Sequence, residues 1–300
     1  MHLENHKSYL PAVFHMSTER LRTMSRKLNT KAMSPVITTI ILASTILACV
    51  LTAYMQMTGV LMAQSQHLEF QQARRVLTSL ADMIENSIYT PGSSGYVKFE
   101  YTSTRPNLIR TGLTTTLHIV NLQDPDDNLT VTIPVNIVEM VGGFLVNTHH
   151  ELLLGNSSIL ATSPLDRLAR VQAIQSNGPK MVLDFAKFKV VYTGRAYLYE
   201  DGSYKEYNVI EVSVVRVSFG SVRGVESLVA KNLGVDSSYS TRFSPGTLQI
   251  RVDGYEIVAD DYSVSRSESI TSDVFQGFDP GLPTIIYVYV FQVEISMEGH

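Results

Sequence analysis

Cysteine is nearly absent from this chain, and charge is sparse. Its 300 residues include one cysteine, Cys49, and Asp, Glu, Lys and Arg together make up 17%, against roughly a quarter in an average soluble domain. A single thiol excludes an intramolecular disulfide framework and any zinc site built from several thiolates. A formal net charge of −4 lacks the basic footprint of a dedicated nucleic-acid binder. Also missing are a Gly-rich phosphate loop, a nucleophile elbow and an HExxH helix, and no repeat of about 20–50 residues is evident. Apolar residues are present in ordinary measure, 44%. That is enough for a core, so disorder over the whole length is excluded.

The net charge hides an asymmetry. Met1 to Lys31 carries Lys7, Arg20, Arg22, Arg26, Lys27 and Lys31 against only Glu4 and Glu19, while the remainder is net acidic. Between them, Ala32 to Leu68 contains no Asp, Glu, Lys or Arg. Within it, Met33 to Ala63 exceeds the roughly 20 apolar residues that cross a hydrocarbon core of about 30 Å. It also exceeds the about 7–15 residues of a secretory h-region. The run is expected to span a membrane. Basic residues before it place the N-terminus in the cytoplasm and everything after Ala63 outside.

The helix is expected to continue past the membrane. Ala73, Leu77, Leu80, Ile84 and Ile88 recur at helical spacing on one face, with Glu69, Arg74, Arg75, Asp82 and Glu85 around the rest. Thr90-Pro91-Gly92-Ser93-Ser94-Gly95 ends the pattern. A helix from Ser34 to Ile88 would be about 80 Å long. Its amphipathic second half needs a partner, either its own following domain or neighbouring copies.

The junction Lys31-Ala32-Met33-Ser34-Pro35-Val36-Ile37 opens the hydrophobic helix. A basic residue, a small residue and then Ser-Pro-Val-Ile resembles the N-termini of archaeal type IV pilin-like and flagellin-like proteins, with their class III signal peptides. The resemblance covers roughly Lys31 to Glu85. It implies that a prepilin-type peptidase cuts between Ala32 and Met33, with Lys31 as the flanking basic residue, so that the mature protein keeps its helix. Pro35 suits the first turn, where its missing N–H costs nothing. Translation from Met24, in place of Met1 or Met16, leaves a leader of nine residues before Met33, which is more typical of the family.

After Gly95 the pattern turns to short β-branched and aromatic runs. Tyr96–Tyr101, Thr114–Val120 and Leu129–Val135 are predicted strands. Asp201-Gly202 and Asp253-Gly254 each predict a hairpin, because Asp-Gly favours the positive φ of tight turns. Thr284–Ile295 is predicted to be a long final strand. Ser163–Ile174 is predicted to be a short helix, Ser221–Val235 a helix or loop, and Asp236–Ser244 a loop or subdomain join. The expected fold class is α+β: a long N-terminal helix, then a mainly antiparallel, β-sandwich-like exodomain, as one unit of about 200 residues or two smaller ones. The expected organisation is a basic leader at 1–32, the helix at 33–88 and an extracellular β domain at 96–300.

Chemistry-bearing candidates are few. His149-His150-Glu151 is the only cluster that suggests a metal, but adjacent strand residues point to opposite faces. Asp124, Asp126 and Asp127 lack the spacing of a calcium loop. No cofactor and no enzymatic activity are expected. Cys49 sits within the apolar run as a small apolar residue. Asn128-Leu129-Thr130 and Asn156-Ser157-Ser158 are sequons, making Asn128 and Asn156 candidate glycosylation sites. Tyr192, Tyr197, Tyr199, Tyr204 and Tyr207 are a candidate contact surface or packing set. As the resemblance implies, partners are the membrane, the peptidase and further copies of the chain, with Ile37, Ile41 and Leu47 as candidate bundle contacts. The chain is then either a filament subunit with an outward β domain for adhesion, or a non-filament anchored protein such as an archaellum or pilus accessory protein.

Overall fold

The computed structural model describes residues 35–100, 102–175, 177–224, 226–258 and 261–299. The chain divides into two compact units, Met1–Gly59 and Val60–His300. One helix, α1 (Pro35–Ser87), has 53 residues. Its start at Pro35 uses a residue whose missing N–H would be unpaired in a first turn anyway.

In the first unit, α1 is bare. From Val36 to Gly59 every side chain except half-buried Thr58 is exposed. In the second unit the helix is docked. Phe70, Ala73, Leu77, Leu80, Ala81, Ile84 and Ile88 are all 2% exposed or less. Steps of three and four residues, with Ala81 beside Leu80, keep them on one stripe. Each large apolar side chain buried there contributes about 2 kcal/mol. The partner is the chain's own β domain.

The strands, in chain order, are β1 (Ser94–Lys98), β2 (Arg105–Asn121), β3 (Asn128–Val141), β4 (Glu151–Leu154), β5 (Leu160–Ala161), β6 (Arg170–Gln175), β7 (Pro179–Asp184), β8 (Phe188–Glu200), β9 (Ser203–Arg223), β10 (Ser227–Phe243), β11 (Leu248–Val258), β12 (Asp261–Thr271) and β13 (Thr284–Glu298). They form two sheets, ordered β1-β10-β13-β9-β8-β5 and β12-β11-β2-β3-β7-β6-β4. Pairing is antiparallel except β9 with β13 and β5 with β8. The fold is therefore one long apolar helix followed by a mostly antiparallel, two-sheet β domain, as the composition pattern predicts.

Strand chemistry explains the faces. In β3, Leu129, Val131, Ile133 and Val135 are buried while Thr130, Thr132 and Pro134 are exposed, the period of two expected of a half-buried strand. Two buried clusters join the sheets. One holds the docked part of α1 with β3, β6, β7, β9, β10 and β13. The other holds β2, β3 and β11 with β8, β9 and β13. This is one body, not two smaller β domains.

Four local expectations are corrected. Asp253 and Gly254 are not a turn: β11 runs straight through them, with Asp253 opposite Ser267 and Thr116. The glycine answers close approach, since a Cβ on Gly254 would lie 2.9 Å from the Thr115 side chain. Asp201-Gly202 does make its hairpin, with φ of 50° and 80°. Ser163–Ile174 is a loop running into β6 rather than a helix. Within Ser221–Val235, Leu228, Ala230 and Asn232 alternate inward along β10, so strand period prevails over helix propensity once β13 is the neighbour. Asp236–Ser244 falls mostly in β10, not in a loop.

Candidate functional site

The bare part of α1 is the most unusual surface on the chain. Ile37, Ile41 and Leu47 are 48%, 50% and 60% exposed, and Val36, Ile40, Leu42, Ile46, Val50 and Leu51 are all exposed as well. Ile37 and Ile41 stand one turn apart on one face, whereas Leu47 is turned away from Ile37 by about 80°. Several hydroxyls in this stretch are turned back onto the helix. Thr39 Oγ1 donates to Val36 O at 2.9 Å, Ser44 Oγ to Ile41 O at 2.9 Å, Thr45 Oγ1 to Ile41 O at 2.8 Å and Thr52 Oγ1 to Ala48 O at 2.8 Å. Four hydroxyls of the stretch are thereby satisfied within the helix, which suits surroundings of hydrocarbon or of other apolar helices. The helix is long and apolar enough to cross a membrane. Cys49 lies exposed on it. Lys31, Ala32 and Met33 lie outside the described residues.

A polar clamp holds the docked part of α1. Gln66 Oε1 accepts from Leu145 N at 3.0 Å. The Glu69 carboxylate accepts from Thr102 Oγ1 at 2.6 Å, Ser103 N at 2.8 Å, Ser103 Oγ at 2.5 Å and Thr104 N at 3.2 Å. Desolvation pushes Glu69 up, but these donors from Ser103, Thr102 and Thr104 outweigh it and hold the carboxyl down at about 2. Glu85 Oε1 accepts from Leu168 N at 2.7 Å and Ala169 N at 2.9 Å, while Arg167 pairs with Asp82 and lies 3.7 Å from Glu85. Helix carboxylates thus bind the loop amides that would otherwise be orphaned by packing against a helix.

The end of α1 is capped from a distance. Asn232 of β10, 1% exposed, donates Nδ2 to Ser87 O at 2.6 Å, Ile88 O at 3.1 Å and Thr90 O at 3.1 Å. Its Oδ1 accepts from Gly234 N at 2.7 Å. One side chain thereby gathers the carbonyl of the last helical residue and two carbonyls of the turn that follows it. Gln66 and Asn232 were not singled out by sequence reasoning, and Glu69 and Glu85 entered it only as polar positions of the helix, because their partners lie 33 to 145 residues away.

The remaining candidates resolve into local roles. Asn128 is exposed, its Nδ2 donating to Pro125 O at 3.3 Å and Asp126 O at 3.1 Å. Asn156 is half-buried and engaged: Lys187 Nζ donates to its Oδ1 and to its backbone O at 3.2 Å, and its Nδ2 lies 3.4 Å from Asp166 Oδ1. Those two acceptors let the ammonium of Lys187 be buried, while desolvation and then the charge of Arg170 push its pKa down. Next to it, Arg170 and Asp184 form a buried pair at 2.9 Å. His150 Nε2 sits 3.3 Å from Gln172 Oε1, and Glu151 pairs with Arg74 at 3.6 Å. Among the described residues no group of three His, Cys, Asp or Glu side chains is placed to hold a metal ion. Asp127 is held low by the amide of Ser244, which it accepts at 2.7 Å.

Of the five tyrosines, two are packing. Tyr207 is buried with its O–H donating to Glu200 Oε2 at 2.7 Å, and Tyr192 stacks on Phe275 at 6.3 Å. Tyr197, Tyr199 and Tyr204 are 65%, 67% and 74% exposed on the β8–β9 hairpin, with the Tyr199 and Tyr204 rings 5.2 Å apart. Comparison with known proteins finds no matching family model, no similar curated protein and no similar solved structure.

Proposed function

We propose that the chain is a type IV pilin-like structural subunit of a surface filament, made as a membrane-anchored precursor. One observation carries the reading: a single continuous helix is wholly bare and apolar over one part and clamped into a β domain over the other. A soluble protein has no use for the sixteen exposed apolar residues between Val36 and Gly59, which would aggregate in water. Membrane insertion followed by helix bundling covers them in turn. The Lys31-Ala32-Met33 junction supplies the processing step by a prepilin-type peptidase, and the sandwich-like β domain faces outward for adhesion or surface contact. In this role the protein is structural rather than catalytic.

A second reading is a non-filament anchored protein of the archaellum or pilus accessory kind. It is favoured by the size of the β domain, in which thirteen described strands hang from one helix. Shearing cells separates the two, since filament subunits leave with the sheared material and anchored ones remain with membranes. Ile41→Asp tests the helix itself. An acidic residue within a spanning helix costs up to about 3 kcal/mol of insertion, so the variant is expected to be depleted from both fractions. Normal filaments from Ile41→Asp cells would refute the proposed function.

A further inference from the structure

A lysine lies buried against a carboxamide where the chain crosses from one sheet to the other. Lys187, in the link from β7 to β8, is 2% exposed. Lysine is almost never fully buried without a charged partner. Its Nζ meets Asn156 twice, donating to the side-chain Oδ1 and to the backbone O at 3.2 Å. Two carboxylates nearby are engaged by other donors. Asp184 accepts from Arg170 Nε at 2.9 Å and Nη2 at 3.3 Å. Glu268 accepts from Ile159 N at 3.1 Å and Leu160 N at 3.0 Å, and pairs with Arg266 at 2.7 Å. Asp166 instead faces the carboxamide, its Oδ1 lying 3.4 Å from Asn156 Nδ2.

The local backbone holds this arrangement. Asn156 sits in the loop from β4 to β5, and Leu160 and Phe188 are register partners in β5 and β8. Phe188 N donates to Ile159 O at 3.0 Å, so the segments carrying Asn156 and Lys187 run side by side. Gly155, at φ 80°, turns the loop where a Cβ would lie 2.4 Å from Ala169 O. Ser163 N donates to Asp166 Oδ2 at 3.2 Å and orients that carboxylate. Desolvation, then the charge of Arg170, push the pKa of Lys187 down against the pull of Asp184, Asp166 and Glu268. That favours the neutral amine, the nucleophilic form of lysine.

We propose that Lys187 and Asn156 join in an intramolecular amide bond, a self-made cross-link between the β4–β5 loop and the start of β8. The hydrogen-bonded pair is its precursor. The neutral Nζ attacks Cγ of Asn156, one C=O bond of about 1.2 Å beyond the oxygen it already touches. The new C–N bond forms, the Cγ–Nδ2 bond breaks, and Nδ2 leaves as ammonia. The proton that Nζ gives up passes to Nδ2 through the Asp166 carboxylate. One amine and one carboxamide thus become one secondary amide and ammonia, with no oxidant or reductant involved. Holding the two groups together in a folded interior makes a slow bimolecular exchange unimolecular, and loss of ammonia makes it irreversible. The bond spans 31 residues of chain. It constrains the unfolded state as a disulfide would, in a chain whose single cysteine cannot form one within itself. The reaction is independent of whether the protein enters a filament or remains an anchored protein.

The full chain, made in a host that does not glycosylate it and held folded for several days, is denatured and digested with trypsin. Trypsin cuts after a free lysine but not after an acylated one. The expected product is Met181–Lys189 joined to Thr111–Arg167, lighter than the two peptides together by one ammonia, with fragment ions placing the bond at Lys187 and Asn156. Asp166→Asn is expected to slow formation of the bond by about a hundredfold or more. Asp166→Glu, which keeps a carboxyl, is expected to recover it in part. Separate Met181–Lys187 and Thr111–Arg167 peptides of unaltered mass would overturn the proposal. So would Asn156 hydrolysed to aspartate without a bond to Lys187, or a bond from Lys187 that maps to another residue. Bond formation at full rate in Asp166→Asn would overturn the step assigned to Asp166.

Discussion

Removing the cap at the end of α1 has a calculable effect. Asn232→Ala deletes three donations, to Ser87 O, Ile88 O and Thr90 O, and the acceptor for Gly234 N. The side chain is 1% exposed, so water cannot readily replace it. Hydrogen bonds contribute about 1 kcal/mol each, and buried groups left unmatched cost more. The expected loss is about 3 kcal/mol, about 1 kcal/mol for each of the two N–H groups that share the three carbonyls and for the one acceptor. For a unit of this size that is a fall in Tm of about 6–12 °C. Thermal unfolding of the detergent-solubilised full chain, followed by circular dichroism, reads it. Asn128→Ala removes two hydrogen bonds from an exposed loop and is expected to change stability by less than about 0.5 kcal/mol. An Asn232→Ala variant as stable as Asn128→Ala would refute the assignment of Asn232 as the cap that binds α1 to β10.

Three more expectations follow from the docked helix and the loops. Leu80→Ala, at a fully buried position, should cost about 2–5 kcal/mol by cavity formation, measured by chemical denaturation. The folded-state pKa of Glu69, about 2 against an ordinary 4.5, is depressed; its contribution is therefore full above about pH 4.5 and is lost as pH falls towards 2. Protection of the Ser103 and Thr104 amides, measured against their intrinsic exchange rates, should fall across that window, and Glu69→Gln should flatten the dependence. Where the host glycosylates sequons, glycopeptide mass spectrometry should find Asn128 modified in preference to Asn156, whose side chain is engaged by Lys187 and Asp166.

The long elements were legible because their periodicity is strong. An uncharged run from Ala32 to Leu68 followed by apolar residues at Ala73, Leu77, Leu80, Ile84 and Ile88 specifies a helix with two different environments, and all five of those residues are 2% exposed or less. The Asp201-Gly202 hairpin was legible because its turn is local. Asp253-Gly254 misled because the same dipeptide also serves where one strand must pass close to Thr115 of another. Ser221–Val235 misled because helix and strand propensities there are nearly balanced, and β13, some 60 residues on, decides. The clamp was not legible at all: Glu69, Glu85 and Asn232 look like ordinary polar residues until the fold brings the loops at Ser103 and Leu168 and the end of α1 to them.

The most direct test of the account is N-terminal sequencing of the protein recovered separately from sheared surface material and from membranes. The account predicts a mature start at Met33 in the sheared fraction, as pilin-type cleavage after Ala32 and filament assembly require. A Met33 start confined to membranes would transfer the protein to the anchored reading. An intact leader in both fractions would contradict the account, leaving a signal anchor that carries a clamped β domain.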